Sequence, residues 1–303
     1  MKKFLKSQLN KLPYVKGLYK QVEAYEKNAH YPPGHYYSPI ISMDEVRARE
    51  QQIWKDESAA SIPGVELNLN AQQELLQQLA EYYSDLPFGA DKKEGLRYYF
   101  ENNMYSYTDG IILYSLLRYL KPKRIIEVGS GFSSALMLDV NQHYFENSIE
   151  LHFIEPNPQR LYANIGDIEK QNVSIKEKMV QDVPPEYYDR LEAGDILFID
   201  STHVSKTGSD VNYIFFEILP RLKPGVWIHF HDIFYPFEYP KGWVYQGRNW
   251  NENYMLRAFL MSNTDYSVRL FPHYLHLQKP DLFKGMPLAF KNLGGNIWIE
   301  KLK

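Results

Sequence analysis

From residue 124 onward, short apolar runs alternate with segments of helical periodicity. The apolar runs predict strands at residues 124–128, 149–155, 173–179, 195–200 and 225–231. The segments between them predict helices at residues 132–143, 157–165, 185–192 and 211–222. Because strands separated by helices form right-handed βαβ crossovers, this alternation predicts an α/β fold with a mainly parallel sheet.

The end of the chain departs from this alternation. A helix is predicted near residues 250–263, followed by strands at 266–272 and 296–300. A Pro/Gly-rich stretch, and no predicted helix, separates these two strands. We therefore expect them to form an antiparallel pair at one edge of the sheet.

The first hundred residues carry helical patterns. Helices are predicted over residues 1–30 with an interruption near Pro13, over 43–57 with Ser42 or Asp44 as the N-cap, and over 71–84. A further helix is predicted from Thr108 or Asp109 to Leu120. The turn-rich, aromatic segment 30–39 is expected to pack on the main domain. The chain is thus predicted to divide into a helical N-terminal extension, residues 1–100, and an α/β domain, residues 101–303.

The N-terminal segment is basic. Its first twenty residues hold six lysines and no acid, namely Lys2, Lys3, Lys6, Lys11, Lys16 and Lys20. Apolar residues lie among them, and a basic amphipathic segment can bind an anionic membrane surface or a partner. A solvated helix is the simpler interpretation.

Composition excludes several classes of function. The net charge of −3 gives no reason to expect nucleic acid binding. The chain has no cysteine, which excludes a disulfide scaffold, a Cys-ligated zinc and a thiol nucleophile. No apolar run approaches the ~20 residues of a membrane span, and the N-terminus lacks the apolar stretch of a secretory signal. A cytoplasmic location is therefore expected.

A glycine motif follows the first predicted strand and opens a helix. Its sequence is Glu127-Val128-Gly129-Ser130-Gly131-Phe132-Ser133-Ser134. The glycines permit a tight turn and a close backbone approach by a ligand, whose polar atoms the free N–H groups of the helix can bind. Dinucleotide-binding motifs place Gly or Ala where Ser134 stands and an apolar residue where Glu127 stands. The second predicted strand ends in an acid, Glu155.

Polar residues also follow the fourth and fifth predicted strands. Asp200 and His203 come after one, and His231 and Asp232 end the other. In open α/β sheets the ligand binds outside the carboxyl ends of the strands, so these side chains and the glycine motif are expected to share one crevice. A histidine can remove the proton of a hydroxyl, and carboxylates can orient that histidine or hold Mg²⁺.

The glycine motif and Glu155 resemble motif I and the ribose-binding acid of class I S-adenosylmethionine-dependent methyltransferases. The resemblance implies a Rossmann-like, mainly parallel seven-stranded sheet with helices on both faces and an antiparallel last strand. It implies S-adenosylmethionine as the cofactor, with Glu127 facing the methionine amino group and Glu155 binding the ribose hydroxyls. It assigns the lining of the methionine and ribose to Gly129, Ser130, Gly131, Phe132 and Ser133. Asp182 would approach the adenine amino group, although Asp before Val-Pro-Pro also suits a plain turn.

The second set of residues resembles the metal-dependent sugar O-methyltransferases of the macrocin type, whose broad family includes proteins once described as cephalosporin hydroxylases. The resemblance implies Asp200 and Asp232 as metal ligands and His203 as the general base. This chain departs from the pattern at His231, where such enzymes carry a second acid. Histidine suits softer metals better than Mg²⁺. His231 could therefore be a second base, or the site could work without metal.

The leading hypothesis is methylation of a hydroxyl on a sugar or other small polar metabolite. An aromatic segment, residues 234–251, would form either a wall over the active site or ordinary core. A nucleotide-dependent oxidoreductase is the alternative enzyme, against which Glu127 and Ser134 count. A non-catalytic scaffold that kept the cofactor pocket is a third hypothesis. An exposed sheet edge or the N-terminal helix could pair subunits into a homo-oligomer.

Overall fold

The computed structural model describes residues 12–55, 58–165 and 173–303 of the chain. They form two compact units. One comprises the described residues up to Trp54 together with Gly242–Asn249, and the other comprises the described residues of Lys55–Lys241 and Trp250–Lys303.

The smaller unit is helical. It contains α1 (Pro13–Asn28), α2 (Met43–Ala48) and α3 (Glu50–Ile53). The single helix predicted over 43–57 is thus two short helices separated at Arg49, and residues 56–57 lie outside the described ranges. Ser42 is the N-cap of α2, since its hydroxyl accepts a hydrogen bond from the backbone N–H of Glu45. Most of the basic segment lies outside the described residues.

The larger unit is built on a seven-stranded sheet. Its strands are β1 (Arg124–Val128), β2 (Glu150–Ile154), β3 (Ser174–Lys176), β4 (Ile196–Ile199), β5 (Trp227–His231), β6 (Tyr266–Leu270) and β7 (Asn296–Lys301). The strand order is β3-β2-β1-β4-β5-β7-β6. The first five pair in parallel, and β7 is antiparallel to both of its neighbours. The predicted Rossmann-like sheet with an antiparallel last strand is confirmed.

Further helices lie in the described ranges. They are α4 (Leu69–Ala80), α5 (Tyr107–Leu120), α6 (Phe132–Phe145), α7 (Gln159–Asn164), α8 (Asp210–Tyr213), α9 (Lys241–Tyr245), α10 (Glu252–Leu260) and α11 (Pro272–Gln278). A π-turn continues α8 as Ile214–Ile218, and 3₁₀ turns lie at Tyr83–Asp85, Val180–Asp182, Pro185–Arg190, Leu219–Arg221, Pro280–Phe283 and Pro287–Lys291. Helix α5 is buried on every side between Tyr107 and Leu117, which explains why most of its residues are apolar.

Two sequence predictions differ from the structure. The expectation that no helix separates the last two strands is wrong, because α11 lies between β6 and β7. Its proline at the first position resembles a loop signal in the sequence, yet the helix buries Tyr274 and Leu275. The domain boundary was expected near residue 100, whereas the compact units divide after Trp54. The reason is that α4 buries Leu76 and Leu79 in the core of the α/β unit.

Candidate active site

The turn after β1 requires a glycine at its first position. Gly129 has a φ of 83°, and a Cβ placed there would lie 1.8 Å from the carbonyl oxygen of Asp200. Its N–H donates to the carbonyl of Ile154, at 3.0 Å. The absence of a side chain therefore lets the ends of β1, β2 and β4 converge at one point of the crevice.

Glu127 is fully buried beneath this turn. The hydroxyls of Ser133 and Ser134 donate to its two carboxylate oxygens, and Ser134 Oγ also accepts the N–H of Gly131 at 3.0 Å. Burial raises the pKa of Glu127 to about 8, although the two serine hydrogen bonds act in the opposite direction. Glu127 thus fastens the glycine turn to the first turn of α6.

Glu155 follows β2 and binds the same turn. One of its carboxylate oxygens accepts the N–H of Ser130 at 3.1 Å, and the other accepts the N–H of Asn157 at 2.7 Å. Phe132 is half-buried and packs edge-to-face on Tyr99, with ring centroids 5.5 Å apart. The predicted cofactor residues are therefore together in space, and backbone groups hold the carboxylate of Glu155 in place.

A cavity of about 500 Å³ opens beside Glu155. The residues that line it include Gly129, Ile154, Glu155, Gln181, Ser201 and Asp210. Asp182, which the sequence placed near the adenine, is exposed, whereas its neighbour Gln181 lines the cavity. Asp210 stabilises the loop after β4 where it lines the cavity, since its carboxylate accepts hydrogen bonds from the hydroxyl and the N–H of Thr202.

Three polar atoms around the cavity and the glycine turn are buried without a hydrogen-bond partner among the residues that the structure describes. They are Ser130 Oγ, Gln181 Oε1 and Ser201 Oγ. The amide nitrogen of Gln181 is already engaged, because it donates to the carbonyl of Gly208 at 2.9 Å. Buried polar groups normally have partners, so these atoms fit a polar ligand that supplies both donors and acceptors.

The residues after β4 and β5 meet next to this cavity. His203 Nε2 lies 3.6 Å from Asp200 Oδ1 and 3.4 Å from Asp232 Oδ2, and His231 Nε2 lies 3.5 Å from Asp232 Oδ1. One ligand atom each from Asp200, His231 and Asp232 can be chosen so that all three lie within 4.8 Å of one another. The sequence prediction that these four side chains share one crevice agrees with this geometry.

His203 is held by a residue that the sequence analysis did not identify. Its Nδ1 lies 2.8 Å from Glu252 Oε2, and Glu252 is buried at the start of α10. The backbone N–H groups of Asn251 and Glu252 donate to the carbonyl of His203, and the ring of Trp250 lies beside the imidazole with centroids 4.6 Å apart. His203 and Asp232 both have left-handed backbones, with φ of 61° and 56°. Such conformations persist only where the surroundings fix them.

The charges of this cluster shift its protonation equilibria. Burial disfavours the imidazolium form, but hydrogen bonds to Asp200 and Glu252 outweigh it and raise the pKa of His203 well above its ordinary value. Burial also acts to raise the pKa of Asp200, yet the nearby His231 and His203 lower it overall. Burial raises the pKa of Asp232. The cluster therefore concentrates carboxylates and imidazoles of strongly perturbed basicity, as active sites do.

His229 has a different environment. It is fully buried, and its ring stacks on Phe198 with centroids 3.8 Å apart. Burial lowers its pKa well below the ordinary value, and neither ring nitrogen has a hydrogen-bond partner within the described ranges. His229 is thus a neutral core residue. Asn212 accepts a hydrogen bond from the hydroxyl of Ser205 and donates one to the carbonyl of Lys206, so it shapes the loop after β4.

The chain is similar to known methyltransferases. A family model described as a methyltransferase domain matches residues 126–233, the segment that carries the glycine turn and the polar strand ends. An uncharacterised protein from Archaeoglobus fulgidus is 32% identical over 164 residues, which cover 54% of this chain and 74% of the relative. The chain belongs to this methyltransferase family.

Two solved structures are also similar. One is the Podospora anserina methyltransferase PaMTH1 with SAH bound, at 17% identity over 87% of this chain and 98% of that chain, with a TM-score of 0.42. The other is the O-methyltransferase TomG of Streptomyces achromogenes, involved in tomaymycin synthesis, in complex with SAM. TomG is 15% identical over 86% of this chain and 100% of its own, with a TM-score of 0.45.

The family match spans the glycine turn and the polar strand ends, and it favours a methyltransferase over the oxidoreductase alternative. The cavity beside the turn suits a nucleoside, because Glu155 and Gln181 offer it carboxylate and amide oxygens. None of the helices over the described ranges combines the length with the apolar composition that a bilayer crossing requires.

The sequence analysis missed two residues of the candidate site. Glu252 lies 49 positions after His203, and nothing in its local sequence distinguishes it from any acid at the start of a helix. Gln181 adjoins Asp182, and the direction of the chain after β3 decides which of the two faces the cavity. A search for acids beyond the fifth strand would have produced Glu238 as readily as Glu252.

Proposed function

We propose that this methyltransferase transfers the methyl group of S-adenosylmethionine to a hydroxyl of a sugar or another small polar metabolite, with His203 as the general base. The observation that carries the proposal is the contact of 2.8 Å between His203 Nδ1 and the buried Glu252. It leaves Nε2 directed at Asp200 and Asp232, on the side of the glycine turn. A histidine oriented in this way is suited to remove a proton from a substrate hydroxyl.

The reaction balances with these groups. As the hydroxyl oxygen bonds to the methyl carbon, the carbon–sulfur bond breaks and S-adenosylhomocysteine leaves. The hydroxyl proton passes to His203 Nε2 in the neutral form of the imidazole, and because the pKa of His203 is raised, the fraction of this form increases with pH. Because methyl transfer is an in-line displacement, the protein's main contribution besides the base is to hold the two reactants in alignment.

We propose that the cofactor is held by the residues that form and surround the glycine turn. Glu127 would neutralise the methionine ammonium, Glu155 would accept hydrogen bonds from the ribose, and Gln181 would accept one from the adenine amino group. The turn itself would contribute backbone contacts from Gly129, Ser130, Gly131, Phe132 and Ser133. The role assigned to Asp182 by sequence stays a prediction. All of these residues lie in the larger unit.

We further propose a divalent metal at Asp200 and Asp232. When bound, it would lower the pKa of the acceptor hydroxyl. Trp250 lies beside His203 and supplies an aromatic face on which a sugar ring could pack. A cytoplasmic location and a homo-oligomeric state stay predictions from the sequence.

Calorimetric titration with S-adenosylmethionine and S-adenosylhomocysteine, with and without Mg²⁺ or Mn²⁺, tests the cofactor site first. Micromolar binding is expected. Screening sugars and phenols as acceptors with the loaded enzyme follows, and the product is analysed for an O-methyl group. Failure of both cofactor ligands to bind under every condition would refute the proposal.

The variant His203→Ala tests the base. We expect turnover to fall by ~10²–10⁴-fold while the affinity for S-adenosylmethionine is retained. His143→Asn, at an exposed position on α6, is the matched control and should leave turnover unchanged. Near-normal turnover of His203→Ala with a confirmed acceptor would show that another group removes the proton.

A further inference from the structure

The three residues Asp200, His231 and Asp232 come from the ends of two adjacent parallel strands. In the parallel register of β4 and β5, Ile199 pairs with Phe230. The next residues along the two strands, Asp200 and His231, therefore lie side by side. Asp232 then turns back towards both through its left-handed backbone. The cluster is therefore fixed by the sheet itself, with one nitrogen donor and two carboxylates within 4.8 Å of one another.

The imidazole of His231 is held in place before any ligand arrives. Its side chain is only 6% exposed. The ring of Tyr105 lies against the imidazole of His231, with ring centroids 5.0 Å apart. The ring of His229, two residues earlier in the strand, stacks on it with centroids 5.9 Å apart. Nε2 is the nitrogen on the carboxylate side, 3.5 Å from Asp232 Oδ1. A nitrogen donor oriented in this manner needs little rearrangement to bind a cation between the carboxylates.

A comparison within β5 separates this histidine from an ordinary core residue. His229 and His231 lie on the same face of the strand, two residues apart. His229 is sandwiched by Phe198 and Trp298, its partners in the sheet register. His231 instead stands at the strand end among the carboxylates of Asp200 and Asp232. Only the second position offers the donor set of a metal site.

We infer that Asp200, His231 and Asp232 form a site for a first-row transition metal, with Mn²⁺ bound in preference to Mg²⁺. The inference rests on the metal-assisted methyl transfer proposed above and specifies its metal. Mg²⁺ takes oxygen ligands and retains its waters, whereas imidazole nitrogen suits Mn²⁺, Fe²⁺, Co²⁺ and Zn²⁺ progressively better. One nitrogen among three protein donors therefore shifts the selectivity of the site away from Mg²⁺.

The experiment measures metal binding to the full chain without turnover. Protein treated with a chelator is titrated calorimetrically with MnCl₂ and with MgCl₂. Oxygen-only sites also favour Mn²⁺ to some degree, so the decisive quantity is the ratio of the two affinities in wild type and in His231→Glu. We expect the Mn²⁺/Mg²⁺ ratio to fall by about tenfold or more in the variant, because a third oxygen donor replaces nitrogen. His143→Gln should leave the ratio unchanged.

A second measurement begins with the wild type, so its first result does not depend on the folding of a variant. Electron spin-echo spectra of the Mn²⁺-loaded wild type should show modulation from an imidazole ¹⁴N nucleus. His231→Gln, which adds no charge, should abolish it. An unchanged Mn²⁺/Mg²⁺ ratio in His231→Glu, absence of the nitrogen modulation in wild type, or failure of Mn²⁺ to bind would each overturn the inference.

Titration of the same samples with S-adenosylmethionine keeps the two proposals apart. Cofactor binding without metal binding would remove the metal inference and leave the methyl transfer intact. Metal binding with the expected selectivity but no cofactor binding would refute the proposed function alone.

Discussion

His203 Nδ1 and Glu252 Oε2 lie 2.8 Å apart, although the two residues belong to different elements of the α/β unit. Both side chains are almost fully buried. The contact orients the imidazole so that Nδ1 faces Glu252 and Nε2 faces the carboxylates after β4 and β5. Glu252 is therefore a positioning residue, which acts on the substrate only through His203.

Replacement of Glu252 by glutamine should lower kcat. The amide keeps the shape of the side chain but removes the charge that stabilises the imidazolium formed in the reaction. We expect a loss of about 10²-fold in kcat, within the range that a general base contributes. Calorimetry should show unchanged affinity for S-adenosylmethionine, and the melting temperature should stay close to that of wild type.

Glu238→Gln is the matched control for Glu252→Gln. Glu238 is a partly buried carboxylate that accepts hydrogen bonds from Tyr254 and from the N–H of Tyr239 instead of contacting His203. Its replacement should leave kcat within a factor of about two. Equal losses in both variants would indicate a general effect of buried acids on the fold and would refute the positioning role.

Gln181 and Asp182 can be compared directly. The side chain of Gln181 lines the cavity with a buried, unpartnered oxygen, whereas Asp182 is exposed. Gln181→Ala should therefore weaken binding of S-adenosylhomocysteine by about 10-fold, the effect of one lost hydrogen bond of ~1.4 kcal/mol. Asp182→Ala should change it little. The reverse order of effects, measured by calorimetry, would restore the role that sequence gave to Asp182.

Gly129 should tolerate no side chain. In Gly129→Ala the new methyl group would meet the carbonyl of Asp200, and the positive φ adds strain of about 1–3 kcal/mol to that clash. We expect a loss of about 3 kcal/mol or more in the free energy of unfolding. Gly194→Ala provides the control, since its φ of 86° is similar but nothing lies within 4 Å of the added Cβ. It should lose only about 1 kcal/mol in denaturant unfolding.

The protonation of Glu127 should make stability depend on pH. Burial raises its pKa from 4.5 in the unfolded chain to about 8 in the folded protein. Between these values the folded state binds more protons than the unfolded state, so this residue makes the free energy of unfolding decrease as pH rises. Below pH 4.5 both states are protonated, and the contribution is constant there.

Glu127→Gln removes this dependence, because the amide does not titrate and can still hydrogen-bond to Ser133 and Ser134. Urea denaturation at a series of pH values should show the variant gaining stability relative to wild type between about pH 4.5 and pH 8. The same variant should bind S-adenosylmethionine more weakly, since an amide, unlike the carboxyl group, cannot ionise opposite the ammonium. A stability difference that does not vary with pH would contradict the raised pKa.

The alternation of strands and helices was predictable because it is encoded locally. Apolar runs at residues 124–128 and 225–231 identified β1 and β5 within two residues, and the glycine motif identified the turn between β1 and α6. Helix α11 escaped prediction since its proline and short length resemble a loop, and only the burial of Tyr274 and Leu275 defines it. Local patterns thus specify the parallel strands of the sheet better than the segment that connects the two strands at its antiparallel edge.

The sequence alone determined which polar residues end each strand, because each apolar run stops at them. It also determined that these residues share one edge of the sheet, because parallel strands place their carboxyl ends there. It could not determine their partners. Tertiary packing decided that Glu252 meets His203, that Gln181 and not its neighbour lines the cavity, and that His229 is core while His231 joins two carboxylates. The two histidines share a strand face and differ only in what the adjacent strands and loops place against them. Such contacts join residues far apart in the chain, and their geometry depends on how the elements pack.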